Sequence, residues 1–412
     1  MGLMGLRSVD EHLAAILATV SPTPVEEVPV QVALGRVLAE PVRANVDLPG
    51  FTNSAMDGYA VLASDCAGAS REAPVVLPVV GDIPAGDTRA LRLEAGSCWR
   101  IMTGAPVPDG ADAIVPVEES DGGTERAALT LAPDVGRHVR RAGEDVEAGA
   151  EILAAGVEVS PGRLALIAAA NVPSLLTHTT PQVAIISTGD ELQDPGTDLA
   201  HGQIVDSNSL MLEALVRASG AEPIRLPRSR DDAGELRSAL ARAAEGADLV
   251  LTTGGVSMGA YDTVKEVLSG EGEVEFVKVA MRPGMPQGHG VLGPGRTPLI
   301  TLPGNPLSAM VSFQVFVVPA LAALSGRQVD AQAWSAQAVP VRAAAGWSSA
   351  AGKTEFTRVR VEGGVALPAA GQGSHMVGAL ALANALAIIP PEVDEVREGD
   401  VVSCVPLVGS GL

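Results

Sequence analysis

Apolar residues recur at helical spacing near the start of the chain, from Leu13 to Val20. Ser8 and Glu11 stand three residues apart just before them, as in a capping box. Prolines and serine or threonine then alternate from residue 21 to 24 and interrupt the pattern. We therefore predict a short amphipathic helix that begins after Ser8 and ends before Pro22.

Between residues 45 and 146 the apolar runs shorten to strand length. Val75–Val80 and Ala113–Val117 are two such runs, and Gly-Asp, Ala-Gly and Pro-Asp-Gly turn signals stand between them. This pattern predicts a β-rich module. From Glu147 to Thr180 strand-like and helical patterns are mixed, and a helix is predicted near Pro161–Ala170.

From Pro181 to about Gly326 apolar strands alternate with helical periods, which is typical of a parallel sheet covered by helices. The predicted strands are Val183–Ser187, Ile224–Pro227, Leu249–Thr253, Phe276–Ala280 and Leu299–Leu302. The predicted helices are Asn208–Ser219, Asp231–Glu245, Asp262–Leu268 and Pro306–Leu324. Gly220 stands where a helix should end, and Asn305 stands where one should begin.

Residues 331 to 412 return to short apolar runs, which predicts a small all-β module. The predicted strands are Val339–Ala343, Thr354–Val361, Val365–Leu367, Leu386–Ile389 and Val401–Val405. The fold class expected from the whole pattern is therefore α/β plus β.

Composition limits the partners of this protein. Its 412 residues are enough for roughly two or three domains. With 47 % hydrophobic but only 2 % aromatic residues, the core must consist of aliphatic side chains. The net formal charge of −21 repels polyanions, so we expect neither nucleic acid nor an anionic membrane as a partner.

Several features indicate the cytoplasm. The first ten residues lack the apolar core of a signal peptide. The longest apolar stretches, Val311–Leu324 and Ala379–Pro391, are shorter than a bilayer-spanning helix. Cys66, Cys98 and Cys404 are widely spaced and form no CxxC pair, which suits a reducing compartment.

Candidate functional residues are expected directly after the predicted strands, because ligands of parallel α/β sheets bind at the carboxyl ends of strands. Three strand ends, at residues 187–191, 253–259 and 303–308, carry glycine together with hydroxyl, carboxylate or amide side chains. Gly254-Gly255 is suited to close approach of backbone N–H groups to an anion, and a tight strand-to-helix turn is the alternative. The pair belongs to neither GxGxxG nor a P-loop, so nucleotide binding of those kinds is disfavoured.

Three carboxylates also follow these strands: Glu191, Asp231 or its neighbour Asp232, and Asp262. Carboxylates together with substrate phosphate are the usual ligands of Mg²⁺. Asp231 and Asp262 could instead serve only as helix caps, and both interpretations stay open.

A cationic element follows the fourth predicted strand. Lys278 interrupts the apolar run Phe276–Ala280, and Arg282 follows it. An oxyanion pocket is one interpretation, and a solvent-directed lysine or an ion pair is the other. The six histidines show no metal-ligand spacing, and no G-x-S-x-G nucleophile motif is present.

Seven segments together carry a family resemblance. They are Ser54–Ala60, Arg100–Ala105, Gly143–Asp145, Ser187–Glu191, Thr253–Ser257 with Asp262, Pro303–Ser308, and Gly371–Ser374. In this order they resemble the molybdopterin molybdenumtransferases of the MoeA type, which are related to the E domain of gephyrin. Each segment is weak alone, but jointly they are specific, and the resemblance extends over essentially the whole chain.

The resemblance implies an elongated multidomain subunit. Its domains would be a composite N-terminal domain (1–44 and 147–180), a β-rich inserted domain (45–146), a parallel-sheet molybdopterin-binding α/β domain (181–328) and a C-terminal β-barrel domain (329–412). It also implies a homodimer whose active site lies between the α/β domain of one subunit and the β-rich domain of the other.

The activity that the resemblance implies belongs to molybdenum cofactor biosynthesis. Molybdate is inserted into adenylated molybdopterin, and Mg²⁺-dependent hydrolysis of the adenylate releases AMP. Candidate protein partners are the molybdopterin adenylyltransferase and acceptor molybdoenzymes.

The resemblance also assigns roles to residues of this chain. Glu191, Asp231 and Asp262 would hold Mg²⁺ and orient the attacking water, and Asp57, Thr103 and Asp145 would come from the partner subunit. Molybdopterin would be bound by Thr188, Gly189, Asn208, Gly254, Gly255 and Ser257. Molybdate would be bound by Lys278, Arg282, Ser308, Arg358 and Ser374.

Three positions depart from the pattern of many members of the family. Met285 stands in place of a lysine, His289 in place of an aromatic residue, and Arg282 where lysine is frequent. Alternative functions are therefore a tungstate-specific paralogue, a non-catalytic molybdopterin-binding scaffold or carrier, and adenylyl transfer to molybdopterin. The two β-rich modules argue against adenylyl transfer, and the retained carboxylates and cations favour an enzyme over a scaffold.

Overall fold

The computed structural model describes residues 6–229, 232–255, 263–270, 273–369, 372–373 and 376–410.

The predicted N-terminal helix is present. The helix runs from Val9 to Leu17, and both halves of the capping box form: Ser8 Oγ accepts from the Glu11 N–H at 3.1 Å, and Glu11 Oε2 accepts from the Ser8 N–H at 2.8 Å. Its buried face, which includes Leu13, packs into the core of the α/β sheet.

Two antiparallel ladders frame the first part of the chain. They pair Val25–Pro29 with Ser174–His178, and Val42–Arg43 with Glu151–Leu153. The predicted helix Pro161–Ala169 shares an apolar core with them. The described residues also include four short 3₁₀ turns: Val30–Val32, Ala63–Cys66, Val117–Glu119 and Ala333–Ser335.

The predicted β-rich module lies between the strands of these ladders in sequence. Its five-stranded sheet has the order Ala113–Pro116, Gly58–Val61, Cys98–Ile101, Val75–Ile83, Arg126–Leu129. A short ladder pairs Asn53–Ser54 with Val139–Arg140. Cys66 and Cys98 lie in the apolar core of this module, and both are free thiols, as is Cys404.

A six-stranded sheet forms the α/β part. In chain order its strands are β1 Gln182–Ser187, β2 Glu222–Arg225, β3 Leu249–Thr253, β4 Val274–Lys278, β5 Pro286–Leu292 and β6 Thr297–Leu302. Its helices are α1 Asn208–Ala218, α2 Ala233–Gly246, α3 Thr263–Gly270 and α4 Pro306–Leu324. The spatial order is β2-β1-β3-β6-β5-β4, and separate apolar cores cover the two faces. A short parallel ladder, Leu192–Gln193 with Ile204–Val205, precedes α1.

The sheet contains one strand that the sequence pattern did not predict. β5 is antiparallel to both of its neighbours, β4 and β6, whereas β2, β1, β3 and β6 are parallel. The seven residues between β4 and β5 are too few for a parallel crossover, which needs about a dozen. Gly288 and Gly290 interrupt the apolar pattern of β5, so the sequence does not read as a strand there. Both glycines pack closely against the β4 side of the sheet: a Cβ at Gly290 would be 2.2 Å from the Glu273 carbonyl oxygen.

A closed five-stranded barrel follows, as predicted for the C-terminal part. Around the barrel the strands are Thr354–Glu362, Val365–Pro368, Val339–Ala343, Val401–Pro406 and Ala385–Ile389, and the last pairs back with the first. The two-residue strand Met281–Arg282 pairs in parallel with the start of Thr354–Glu362, and so joins the loop after β4 to the barrel. A two-stranded ladder, Trp347–Ser348 with Glu395–Val396, and a short helix, Val377–Leu380, lie within the same part.

Helix α4 has the predicted bounds, Pro306–Leu324, and therefore extends beyond the apolar stretch Val311–Leu324 that was expected to be too short to span a bilayer. It continues through a π-helical segment, Phe313–Val317, whose wider turn precedes Pro319. Among the described residues α4 is the one helix whose length and apolar composition would allow it to cross a membrane. Since 78 % of its most apolar window is buried inside the protein, it has the character of a core helix, and such helices pass the same test. Asn305 occupies its N-cap position, as predicted.

Candidate active site

The carboxyl ends of β1, β3 and β6 lie side by side, and the residues after them touch. The Gly254 N–H donates to the Leu302 carbonyl at 3.2 Å. A Cβ at Gly254 would lie 2.8 Å from the Thr188 carbonyl oxygen, and one at Gly304 would lie 3.5 Å from Gly254 Cα. Gly254 and Gly255 have φ of +90° and +69°. The backbone here is therefore bare of side chains, as the close approach of an anion requires.

Asn208, at the start of α1, binds two of these strand ends. Its Nδ2 donates to Thr253 Oγ1 at 2.9 Å and to the Gly304 carbonyl at 2.7 Å. Asn208 is 8 % exposed, and its Oδ1 has no hydrogen-bond partner in the part of the chain that the structure describes. A buried acceptor of this kind suits an N–H donor on a ligand such as a pterin.

Asp206 is a site residue that the sequence analysis missed. It is 7 % exposed, accepts from Ser187 Oγ at 2.6 Å, and accepts from the Ser209 N–H at 3.0 Å. It therefore ties the end of β1 to the first turn of α1. Its position three residues before Ser209, at a predicted helix start, was the available signal.

One predicted Mg²⁺ ligand, Glu191, belongs to the described residues. Its exposed carboxylate folds back over Gly189, where a Cβ would lie 2.6 Å from Glu191 Oε2. No group of three or more His, Cys, Asp or Glu side chains that could hold a metal occurs within the described ranges. Mg²⁺ is often held by one or two carboxylates with substrate phosphate supplying other ligands, so Glu191 beside the glycine-lined strand ends fits such a site.

Several predicted residues lie outside the described ranges: Asp231, Ser257, Asp262 and Ser374. The sequence left open whether Asp231 or Asp232 is the candidate metal ligand, and the structure describes the second of these residues. Asp232 is the N-cap of α2, where its Oδ1 accepts from the Glu235 N–H at 2.8 Å. Its side chain therefore has a structural role.

A pocket of about 280 Å³ lies where the loop after β4, the start of α4 and the barrel meet. It is lined by Arg282, Pro283, Gly284, Leu307, Ser308, Glu355, Phe356, Gln372 and Gly373. The predicted molybdate residues Arg282 and Ser308 thus share one cavity, and Ser308 is four residues beyond Gly304. A buried carboxylate shares it too, since Glu355 Oε2 lies 3.7 Å from Arg282 Nη1. Sequence analysis did not single out Glu355.

The other predicted cations in the described ranges, Lys278 and Arg358, do not line this pocket. Lys278 is exposed at the end of β4. Arg358 is fully buried in the barrel, where Nη1 donates to the Met376 carbonyl at 2.9 Å and Nη2 to the Gly373 carbonyl at 3.4 Å. Arg358 therefore holds the segment that forms one pocket wall. Lys353 reaches the same region, with Nζ 3.5 Å from Met285 Sδ.

The β-rich module brings Asp57 and Thr103 together. Asp57 Oδ1 accepts from the Thr103 N–H at 2.6 Å and from Thr103 Oγ1 at 2.8 Å. These bonds hold the pKa of Asp57 below its ordinary value. Asp145 lies in another exposed loop, where its N–H donates to the Leu48 carbonyl. Within the described residues no hydrogen bond or ion pair links these three side chains to the ends of β1, β3 or β6.

Known proteins match almost the whole chain. The family models that match are "MoeA N-terminal region (domain I and II)" at residues 7–171, "Probable molybdopterin binding domain" at 184–323, and "MoeA C-terminal region (domain IV)" at 340–407. Molybdopterin molybdenumtransferase 2 of Mycobacterium tuberculosis (strain H37Rv) is 45 % identical over 406 residues, which cover 96 % of this chain and 98 % of that relative. Molybdopterin molybdenumtransferase of Nostoc sp. (strain PCC 7120) is 37 % identical, with coverage of 87 % and 83 %.

Solved structures agree with these matches. The crystal structure of the molybdopterin biosynthesis MoeA protein from Pyrococcus horikoshii OT3 superposes with a TM-score of 0.85 at 29 % identity, over 97 % of this chain and all of that chain. A second crystal structure of the MoeA protein from the same species gives 0.81 at 31 % identity, over 98 % and 100 %.

The fold and the strand-end site define a multidomain enzyme built around a molybdopterin-binding α/β domain. The chain belongs to the MoeA family of molybdopterin molybdenumtransferases. It is a transferase of molybdenum cofactor biosynthesis, and the prediction from the seven sequence segments is confirmed.

Proposed function

We propose that this protein inserts molybdate into adenylated molybdopterin and hydrolyses the adenylate, with release of AMP. One observation carries the proposal: the bare strand ends at Gly254 and Gly304 lie one turn of α4 from the pocket of Arg282 and Ser308. A single ligand can therefore place its phosphates on the strand ends and its dithiolene toward the pocket. The names of the relatives support molybdopterin as the molecule bound and molybdenum as the element transferred.

The adenylated molybdopterin would lie on the ends of β1, β3 and β6. Gly254 and Gly255 are suited to its phosphates because they carry no side chains and let the ligand approach the backbone closely, although the Gly254 N–H itself donates to the Leu302 carbonyl. Asn208 Oδ1, which is buried and has no hydrogen-bond partner among the described residues, would accept from a pterin N–H. The remaining proposed contacts to this ligand are Thr188, Gly189 and Ser257.

Molybdate, a small dianion, would enter the pocket. Arg282 offers charge-assisted N–H donors and Ser308 offers a hydroxyl, so the pocket is locally favourable in an otherwise acidic protein. The further proposed molybdate residues are Lys278, Arg358 and Ser374. Arg358 contributes by holding Gly373 in the pocket wall.

For the hydrolysis, we propose that Glu191, Asp231 and Asp262 bind Mg²⁺ and orient water. Bound Mg²⁺ neutralises charge on the phosphoanhydride. The water oxygen forms a bond to phosphorus, the P–O bond of the anhydride breaks, and AMP leaves while molybdopterin keeps its own phosphate. In the homodimer we propose, Asp57, Thr103 and Asp145 of the partner subunit close the site. Because its pKa is lowered, Asp57 stays ionised and is suited to orienting donors rather than to taking up protons. We propose that the dimer works in the cytoplasm.

The test is AMP release from adenylated molybdopterin by the purified protein with Mg²⁺, in the presence and absence of molybdate. We expect molybdate-dependent AMP release with molybdenum retained on the pterin. Binding of the adenylate without turnover under molybdate or tungstate would contradict the proposal and favour a scaffold. Turnover with tungstate alone would favour a tungstate-specific enzyme.

A further inference from the structure

The loop between β4 and β5, residues 279–285, joins two sheets. Its strand Met281–Arg282 pairs with the barrel at Thr354, and Pro286 then begins β5 of the α/β sheet. Since Arg282 lies on this loop and lines the pocket, its position depends on how the loop is held.

A buried glutamine holds the loop. Gln287, the second residue of β5, is 1 % exposed. Its Nε2 donates to the Gly284 carbonyl at 2.6 Å and to Ser312 Oγ at 2.6 Å, so both amide hydrogens are used. Gln287 Oε1 has no hydrogen-bond partner among the described residues. The reverse amide orientation would set this oxygen against the Gly284 carbonyl oxygen, so the donor side must face the loop.

Packing at Gly284 leaves the loop little freedom. Gly284 has φ of +91°, a conformation that favours glycine. A Cβ there would lie 3.0 Å from Ser312 Oγ and 3.2 Å from Gln287 Nε2. The glutamine, the glycine and the serine therefore form one compact contact beneath the pocket.

The contact connects the two polar walls of the pocket. Ser312 lies four residues after Ser308 on α4, and residues at this spacing share a helix face. Gln287 thus links the loop that carries Arg282 to the helix face that carries Ser308. Gln287 itself does not line the pocket.

We propose that Gln287 is a positioning residue, which sets the separation of Arg282 and Ser308 and thereby the size of the oxyanion that the pocket accepts. This inference rests on the proposed function, because it takes molybdate as the occupant of the pocket. Gln287 acts through the loop and not by contact with the anion.

The test is Gln287→Met, which keeps the length of the side chain and removes both donors. The molybdate concentration for half-maximal AMP release is expected to rise about tenfold, which corresponds to about 1.4 kcal/mol. We expect kcat, and binding of the adenylate without molybdate, to stay unchanged. Sulfate, a smaller tetrahedral dianion, is expected to compete with molybdate more strongly in the variant than in the wild type.

Gln314→Met is the matched control. Gln314 is a second buried glutamine, 8 % exposed, and its Oε1 accepts from the Val408 N–H at 3.1 Å, away from the loop. Its replacement is expected to lower Tm and leave the molybdate dependence unchanged. Ser312→Ala removes one acceptor of Gln287 and is expected to shift the molybdate dependence in the same direction by a smaller factor. It keeps the inference testable even where Gln287→Met does not fold.

Two results would overturn the inference. One is an unchanged molybdate dependence in both Gln287→Met and Ser312→Ala, and the other is an equal shift in Gln314→Met. The wild-type titration separates these from a failure of the proposed function: AMP release that does not depend on molybdate in the wild type contradicts the function, and the inference with it.

Discussion

Arg282 faces a carboxylate inside the pocket that we propose for an anion. The side chain of Glu355 is 9 % exposed, against 58 % for that of Arg282. Glu355 Oε2 also accepts from the Ala350 N–H at 2.6 Å and from Ser349 Oγ at 3.1 Å. This carboxylate orients the guanidinium and at the same time opposes an incoming dianion.

Glu355→Gln should therefore strengthen molybdate binding. The amide keeps an acceptor for Ala350 and removes the charge. We expect the molybdate concentration for half-maximal AMP release to fall about threefold, in line with a partly exposed charge pair, and the change to shrink at high salt. Arg282→Gln, measured beside it, should raise that concentration. A rise in the Glu355 variant would contradict the role assigned to this carboxylate.

His12 is a buried titratable residue outside the proposed site. It is fully buried, its ring lies 4.8 Å from that of Phe316 and 5.1 Å from that of His289, and neither ring nitrogen has a hydrogen-bond partner among the described residues. Burial, reinforced by His289 and Arg7, lowers the pKa of His12 to about 3. The folded protein therefore keeps this ring neutral over a range in which the unfolded chain binds a proton.

His12→Leu should remove part of the acid sensitivity of the protein. Stability from neutral His12 is complete above pH 6.5 and is lost as pH falls from 6.5 toward 3. Between pH 7 and pH 5 we expect the wild type to lose about 2 kcal/mol more free energy of unfolding than the variant. Urea unfolding at both pH values measures this difference.

The control for His12→Leu is His201→Leu, since His201 is exposed. It should leave the pH dependence of the free energy of unfolding as in the wild type. A His12 variant with the wild-type pH dependence would show that this ring is not kept neutral by the fold.

At the scale of elements, the site depends on how closely the ends of three strands approach. Gly254 has φ of +90°, and a side chain there would meet the Thr188 carbonyl oxygen at 2.8 Å. Gly304 is adjacent, but the nearest atom to a Cβ there is at 3.5 Å, which is ordinary contact. Gly254 should therefore not tolerate a larger residue, whereas Gly304 should, although both follow the ends of strands.

Gly254→Ala should weaken binding of adenylated molybdopterin by at least about tenfold. The reasons are the left-handed backbone, which costs about 1–2 kcal/mol with a Cβ, and the clash with β1. Gly304→Ala should bind within about threefold of the wild type, because ordinary van der Waals contact costs little. Calorimetric titration of both variants with the adenylate measures this, and equal losses would contradict the close-approach argument.

Local patterns predicted most elements. The Ser8–Glu11 capping box and the strands of the barrel were predicted because neighbours in sequence determine them. β5 was missed because its glycines serve packing against β4, which no local pattern records. Helix α4 was predicted with its observed bounds, but the π-helical segment Phe313–Val317 inside it was not, because that segment depends on a backbone geometry that composition does not show.

The same limit applies to the candidate site. The strand-end residues were predicted because the sheet topology brings the ends of its strands together. Asp206, Glu355 and Gln287 were missed because each acts through a partner elsewhere in the chain, such as Ser312, which follows Gln287 by 25 positions. A single sequence does not show which residues that are far apart in the chain come into contact.

At the scale of the whole molecule, we propose the domain boundaries expected from the sequence, with the inserted β-rich domain at residues 45–146. Asp57 and Thr103 bind one another within it, and no contact described for them reaches the α/β strand ends of their own chain. This separation supports a site completed by a second subunit.

Mixing two defective variants, at an adenylate concentration too low to saturate Gly254→Ala, tests the shared site. Asp57→Asn and Gly254→Ala would each leave both sites of a homodimer defective. If subunits exchange on mixing, half the dimers are heterodimers with one intact site, so we expect about a quarter of wild-type AMP release. Each variant alone is the control, and activity that stays at the level of the separate variants after verified exchange would place Asp57 in its own subunit's site.

The N-terminal helix has a consequence for how the protein is made. Asp10 accepts a hydrogen bond from Trp334 Nε1 at 2.8 Å, and Arg7 pairs through its backbone with Lys278 and Ala280. Trp334 follows Asp10 by 324 positions, so a ribosome that adds about 5–20 residues per second needs on the order of tens of seconds to reach it. This helix therefore leaves the ribosome long before the residues against which it docks. During that interval its apolar face, with Leu13, is open to chaperones and to other nascent chains.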